Sequence, residues 1–233
     1  PQGGDAGYTQ IMSQLTLALH RVQTQLAEAA HAAGRDAATV QLLAVSKTFP
    51  AEAVREVYAA GQRAFGENYV QELQAKAAEL AELAIEWHFI GPLQSNKTRI
   101  VAETAHWVHA IDRLKIAERL SAQRPAHLPP LQLCVQVNVS GEDSKSGCSP
   151  ADAPALLQAV AALPGLQLRG LMCIPEPTQD AATLAARFGV LRQLQQQMAA
   201  QGLVLDTLSM GMSADMAQAI AAGSTLVRVG TAI

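Results

Sequence analysis

No run of five or more basic residues occurs in the 233-residue chain, whose formal net charge is −3 and whose pI is about 6.1. That argues against nucleic acid and against an anionic membrane surface as partners. No apolar run approaches the roughly 20 residues that span a bilayer. The opening residues, PQGGDAGYTQ, lack the basic and apolar regions of a secretory signal, and residues 1–8 read as a short disordered lead-in. Cysteine is scarce: Cys134, Cys148 and Cys173 stand far apart, odd in number and without a CxxC pair. A disulfide framework and a structural zinc site are both disfavoured, no metal is expected, and a reducing cytoplasm is the simplest location. The three thiols read as small packing residues, Cys148 included. No linker, low-complexity tract or composition shift divides the chain, so residues 9–233 read as one domain.

What is present is an ordinary soluble composition, 49% hydrophobic and 16% charged, long enough for a substantial core. Ile11, Leu15, Leu19, Val22 and Leu26 form one apolar stripe at helical spacing, and Gly34 follows as a stop. After it, eight short apolar runs (40–46, 62–66, 86–91, 106–111, 131–139, 166–174, 207–212 and 225–233) alternate with helical stretches at 51–60, 69–83, 94–104, 112–123, 150–162, 179–201 and 214–222. Pro50 and Pro150 sit near helix starts, Asp112 and Ser213 at N-cap positions, and Leu184, Phe188, Leu191, Leu194 and Met198 make another stripe. Strands this apolar need cover on both faces, which predicts a parallel sheet inside a layer of helices. Eight repeats within one domain predict a single (β/α)8 TIM-type barrel of the α/β class, preceded by an extra N-terminal helix; an open doubly wound sheet is the alternative.

A barrel does its chemistry where its strands end. The exits here are rich in polar residues and glycine: VSKTFP after strand one, FGENYVQE after two, HFIGPLQSNK after three, SMGMS after seven and VRVGT at eight. Lysine is a poor strand residue and costly to bury. Lys47 is therefore either a solvated loop residue or an amine kept for Schiff-base chemistry. Gly211 and Ser213, with Gly230 and Thr231, suit a phosphate cradle, although glycine and serine also make ordinary turns and caps. Alternation along strand eight directs Arg228 into the barrel, where it needs either a carboxylate partner or the ring nitrogen of a ligand. Lysine, phosphate cradle and axial arginine together fit pyridoxal 5′-phosphate (PLP) better than a bare sugar phosphate.

From about Val40 to its end, the chain closely resembles the YggS/PROSC (PLPBP) family of pyridoxal phosphate homeostasis proteins. The resemblance rests on VSKTFP, FGENYVQE, WHFIGPLQSNK, SKSG and LSMGMSADMAQAIAAGSTLVRVGTAI. It implies the alanine-racemase-like barrel (fold type III among PLP proteins) without a second domain, and an internal aldimine on Lys47. It further implies Arg228 at the pyridine nitrogen, Ser213, Gly230 and Thr231 at the phosphate, and Asn68 and Met210 near the ring. His88, Ser95 and Asn96 lie in family motifs and receive no role. Missing the domain that pairs racemase subunits, the protein is expected to be a monomer, with PLP-dependent apo-enzymes as conceivable recipients.

The same residues argue against vigorous catalysis. Arginine stays charged and cannot give the ring nitrogen its proton, so the ring remains a weak electron sink. A racemase also needs an acid–base group on each face of its substrate. Of Tyr8, Tyr58 and Tyr69, only Tyr69 is placed for that, and it reads more readily as a packing residue. A PLP-holding homeostasis protein with little turnover is the leading expectation. A weak amino-acid racemase is the alternative, and a Schiff-base aldolase acting through Lys47 is a third reading.

Overall fold

The computed structural model describes residues 3–142 and 146–230, with side chains from residue 14 onward. Eight parallel strands close into a barrel in sequence order: β1 (Gln41–Val45), β2 (Ala64–Glu67), β3 (Glu86–Phe89), β4 (Trp107–Ile111), β5 (Leu131–Gln136), β6 (Leu166–Met172), β7 (Thr207–Ser209) and β8 (Leu226–Val229). Between them run α2 (Ala51–Ala59), α3 (Val70–Glu79), α4 (Thr98–Thr104), α5 (Leu114–Gln123), α6 (Ala153–Ala161), α7 (Ala181–Ala200) and α8 (Met216–Ala221). The barrel expected from the alternation is the one observed, and the open sheet is excluded by direct pairing of β8 with β1, Leu43 opposite Arg228.

The N-terminal helix α1 spans Gly3–Ala32, so it begins before the residue-9 boundary expected from the sequence. Once the Leu19–Val22–Leu26 stripe nucleates a helix against the core, adding earlier turns costs little. Nor is α1 an appendage. It packs between α8 and α2, the slot in the outer ring that a helix after β8 would fill. Arg35, just past its end, donates to the carbonyls of Ile220 (2.8 Å) and Ser224 (2.7 Å) and so ties α1 to the end of α8.

Each predicted helix is present, with shifted caps. Helix α5 starts at Leu114, and Asp112 instead accepts from the Gly147 amide at 3.1 Å. Helix α8 starts at Met216, which leaves Ser213 in the preceding turn and Asp215 at the N-cap position. Pro50 lies at the N-cap of α2, and Pro150 precedes α6 by a turn. The α7 stripe is buried throughout, joining Leu157, Leu171 and Leu208 between strands and helices. Inside the barrel one side is apolar (Leu43, Ala64, Ile90 and Leu226), while the other carries His88, His109, Ser209 and Arg228, all buried. No helix of the described residues is long and apolar enough to cross a membrane.

Candidate binding site at the barrel mouth

Lys47 lies two residues beyond β1 and is exposed, whereas Ser46 before it is buried. The backbone on both sides of Lys47 is held by the backbone of β2 and by side chains of α3. The Ser46 amide donates to the Gly66 carbonyl at 2.9 Å, and Lys76 Nζ donates to the Ser46 carbonyl at 2.6 Å. On the far side the Thr48 amide donates to Glu72 Oε2 at 2.8 Å. Thr48 has a left-handed φ of 68°, a conformation costing a residue with a Cβ about 1–3 kcal/mol. Hydrogen bonds to charged groups, each worth about 1.5–3 kcal/mol, are of the size needed to offset it.

The anchor of this clamp is a buried ion pair. Lys76 bonds Glu67 Oε1 and also reaches Glu72 Oε2 at 3.0 Å; Ser46 Oγ donates to the same Glu67 oxygen at 3.3 Å. Glu67 is wholly buried and its second oxygen has no partner among the described residues. Burial pushes its carboxyl above the usual range, and Lys76 beside it opposes the push.

Arg228 enters from the opposite side of the β1–β8 seam. Its side chain lies within the barrel, as alternation predicted, and no carboxylate pairs with it among the described residues. Nη1 donates to the Ser209 carbonyl (2.8 Å) and to Ser209 Oγ (2.7 Å), and Nη2 donates to the Cys173 carbonyl (2.9 Å). A guanidinium has five N–H donors, so Nε and one N–H of Nη2 are left without a bond to the described residues. Buried donors are expensive to leave idle. Two of its N–H donors find no acceptor among the described residues.

The remaining expected residues divide. Gly230 abuts β1: a Cβ placed there would lie 3.3 Å from Val45 Cβ, so the exits of β8 and β1 are in contact. Ser213 is exposed beyond β7, behind Gly211, whose φ of 106° only glycine takes readily. The Met212 amide in this loop is already engaged by Asp215 Oδ1 at 2.7 Å. Thr231 lies outside the described residues. Asn68, at the β2 exit, has a buried Oδ1 without a partner among the described residues. Met210 faces the helix layer rather than the barrel axis. It is buried in the outer cluster with Leu184, Phe188 and Leu208, because Ser209 takes the inward position and the next residue must face the helices. Ser95 and Asn96 form the turn into α4, where the Ser95 carbonyl accepts from Arg119 at 2.8 Å. Tyr69 is 57% exposed and so is not the packing residue expected. Tyr58 is engaged elsewhere, its hydroxyl accepting from the Ala84 amide and its ring lying under Arg63.

Sequence reasoning missed Glu67, Lys76, Ser209 and His109. Alternation with Arg228 could have found Ser209 and His109 as inward residues. The α3 clamp had a weaker signal, Glu72 and Lys76 at i, i+4 directly after the GEN exit.

Comparison with known proteins places this site in context. The model of the alanine racemase N-terminal domain matches residues 18–233. The chain is 62% identical over 222 residues to the pyridoxal phosphate homeostasis protein of Pseudomonas aeruginosa, covering 95% of each, and 52% identical over 230 residues to that of Escherichia coli K12, covering 95% and 96%. Among solved structures it resembles PipY of Synechococcus elongatus with PLP bound, at 42% identity and a TM-score of 0.79, covering 94% of this chain and 98% of PipY. It also shares its fold with the alanine racemase of Corynebacterium glutamicum, at 15% identity and a TM-score of 0.73, over 95% of this chain and 60% of that one.

Proposed function

The chain belongs to the alanine racemase N-terminal domain family, where it stands with the pyridoxal phosphate homeostasis proteins, and from that premise we propose that it binds and releases PLP with little or no turnover. The observation that carries the reading is the buried Arg228, which among the described residues pairs with no carboxylate and keeps two idle N–H donors, on the strand next to the one that leads to Lys47. PLP brings an aldehyde that an amine can hold, a ring nitrogen that accepts hydrogen bonds and a phosphate. Each finds a counterpart here: Lys47 for the aldehyde, Arg228 for the nitrogen, and Ser213 and Gly230, with Thr231, for the phosphate. Asn68 Oδ1, buried and unpartnered, supplies a further acceptor at the β2 exit.

When bound, PLP supplies an electrophilic carbon and a ring able to take up electron density. This chain does little to exploit that ring. Arg228 donates to the nitrogen without surrendering a proton, which keeps the ring neutral. The exposed Tyr69 is not held in place as a second acid–base group, and burial pushes the Cys134 and Cys173 thiols up to about 12. What the residues do is retain: the clamp around Ser46 and Thr48 presents the Lys47 amine, and Arg228 orients the ring. Free thiols at Cys134, Cys148 and Cys173 fit a reducing cytoplasm. PLP-dependent apo-enzymes are the recipients this reading implies.

The test is the visible absorbance of purified protein mixed with PLP. A lysine-linked band that disappears in Lys47→Ala is expected, with no racemisation of individual L-amino acids by chiral chromatography. No band after PLP addition would overturn the reading, and so would turnover at ordinary enzyme rates, on the order of 1–1000 per second.

A further inference from the structure

Arg228 is the first link of a hydrogen-bonded chain that crosses the barrel interior. Its Nη1 reaches Ser209 Oγ at 2.7 Å, and Ser209 Oγ lies 2.8 Å from His109 Nδ1. His109 Nε2 lies 2.8 Å from His88 Nδ1, and His88 Nε2 lies 2.7 Å from Glu86 Oε1 at the start of β3. Ser209, His109 and His88 are wholly buried; only Glu86, with 42% of its side chain exposed, meets solvent. The Trp107 ring stacks on His88 at 5.2 Å and 11°, which holds that imidazole in its plane.

The direction of every link follows from its last member, the Glu86 carboxylate, once both imidazoles are neutral. An ionised carboxylate only accepts, so His88 donates to Glu86 through Nε2–H. A neutral His88 then accepts at Nδ1 from His109 Nε2–H, a neutral His109 accepts at Nδ1 from Ser209 Oγ–H, and Ser209 Oγ accepts from Arg228. Both imidazoles are neutral Nε2–H tautomers, and burial favours that state by lowering both pKa values. The chain cannot run backwards with neutral imidazoles, because the Glu86 carboxylate has no proton to donate to His88. It is consequently no proton relay. It is a one-way string of dipoles between a buried cation and a part-exposed anion, and such strings strengthen each member.

We propose that Ser209, His109 and His88 are positioning residues for Arg228, and that the Glu86 carboxylate polarises the chain from the opposite end of the barrel. With Nη1 locked onto Ser209, and Ser209 locked onto His109, the guanidinium keeps its idle N–H donors in one orientation for the ring nitrogen of PLP. This rests on the PLP reading above and deepens it, naming what fixes the ring partner and tunes its donor strength. The bulge between Val108 and Ile111 in β4 lies where His109 must turn inward, a common device for re-aiming a side chain beside a site.

The experiment compares wild type with Glu86→Gln, His109→Phe and His109→Asn, using PLP labelled with ¹⁵N in the ring. Glu86→Gln keeps an acceptor for His88 but removes the charge, so it is expected to fold normally, to shift the ring ¹⁵N resonance and to weaken PLP binding about threefold, charged hydrogen bonds being roughly twice as strong as neutral ones. His109→Phe frees the Ser209 proton and is expected to cost about tenfold in affinity, one hydrogen bond on a charged group. His109→Asn restores an acceptor for Ser209 and is expected to recover most of that loss, which mere filling of the core would not. Failure of wild type to bind PLP would sink the function reading itself. Binding by wild type with an unmoved ¹⁵N resonance and unchanged affinity in Glu86→Gln would overturn the chain alone, and that variant decides the matter should His109→Phe not fold.

Discussion

Lys76 Nζ lies 2.6 Å from the carbonyl oxygen of Ser46, the peptide that leads directly into Lys47. The lysine proposed to hold PLP is thus presented by a second, buried lysine whose charge is balanced by Glu67 and Glu72. Lys76→Met leaves Glu67 as a buried, uncompensated carboxylate. It is expected to lower unfolding free energy by about 3–5 kcal/mol, and the double variant Glu67→Gln/Lys76→Met, with no charge left to strand, to lose less. Urea melts of the three proteins check this. A double variant as unstable as the single one would show that the pair is not the anchor of the clamp.

Lys47→Ala is the contrasting case. The Lys47 side chain is exposed and makes no ion pair or hydrogen bond among the described residues, so the variant is expected to stay within about 0.5 kcal/mol of wild type in a urea melt. The same variant is expected to lose all borohydride-trappable PLP, measured as mass added to the intact protein. A large stability loss would mean that Lys47 is structural; retained trapping would mean that another lysine holds the aldehyde.

Most of the fold could be read from the sequence because apolar runs and helical stretches alternate along it. The α7 stripe is buried throughout. Leu19, Val22 and Leu26 of the α1 stripe are buried and Leu15 partly so, with the Ile11 side chain outside the described residues. The mouth could be read because a barrel puts polar exits at one end. Caps were less readable: Asp112 and Ser213 have cap chemistry, yet their side chains answer to neighbours distant in the chain or to solvent. The facing of Met210 was no more readable, since one residue of offset along a strand turns a side chain from the barrel axis to the helix layer. The two polar systems that organise the site, Lys76–Glu67–Ser46 and Arg228–Ser209–His109–His88–Glu86, join residues from several strands and from α3. Local spacing records only their short-range pieces, Glu72 with Lys76 and Glu86 with His88, and not the links between elements.

Ser213 is exposed and makes no side-chain hydrogen bond among the described residues, so its hydroxyl is free for a phosphate. Ser213→Ala is expected to weaken PLP binding by about tenfold, a hydrogen bond to a charged group, without moving the urea midpoint. Equilibrium dialysis with PLP, set beside pyridoxal without the phosphate, isolates the effect. A loss seen equally with both ligands would place Ser213 elsewhere than at the phosphate.

Acid stability follows from the buried imidazoles. Burial holds His88, His106 and His109 below their ordinary pKa of 6.5, His109 well below it with His88 and Arg228 adding to the effect. His106 Nδ1 accepts from the Trp87 amide at 2.8 Å, which also favours its neutral form. In the unfolded chain each of these groups titrates near its ordinary value. As pH falls below about 6.5 the unfolded state therefore takes up protons that the native state refuses, and stability present above that pH is lost. Each histidine contributes a slope of at most about 1.4 kcal/mol per pH unit. The raised carboxyl of Glu67 works in the opposite sense and offsets at most one proton. The lowered carboxyls of Glu72, Glu86 and Asp206 act only at more acid pH. Urea midpoints measured from pH 7.5 to 5.5 are expected to fall, with a shallower fall in His109→Asn. A flat profile in the wild-type protein would show that these imidazoles charge freely inside the barrel, and the one-way chain from Arg228 to Glu86 would go with it.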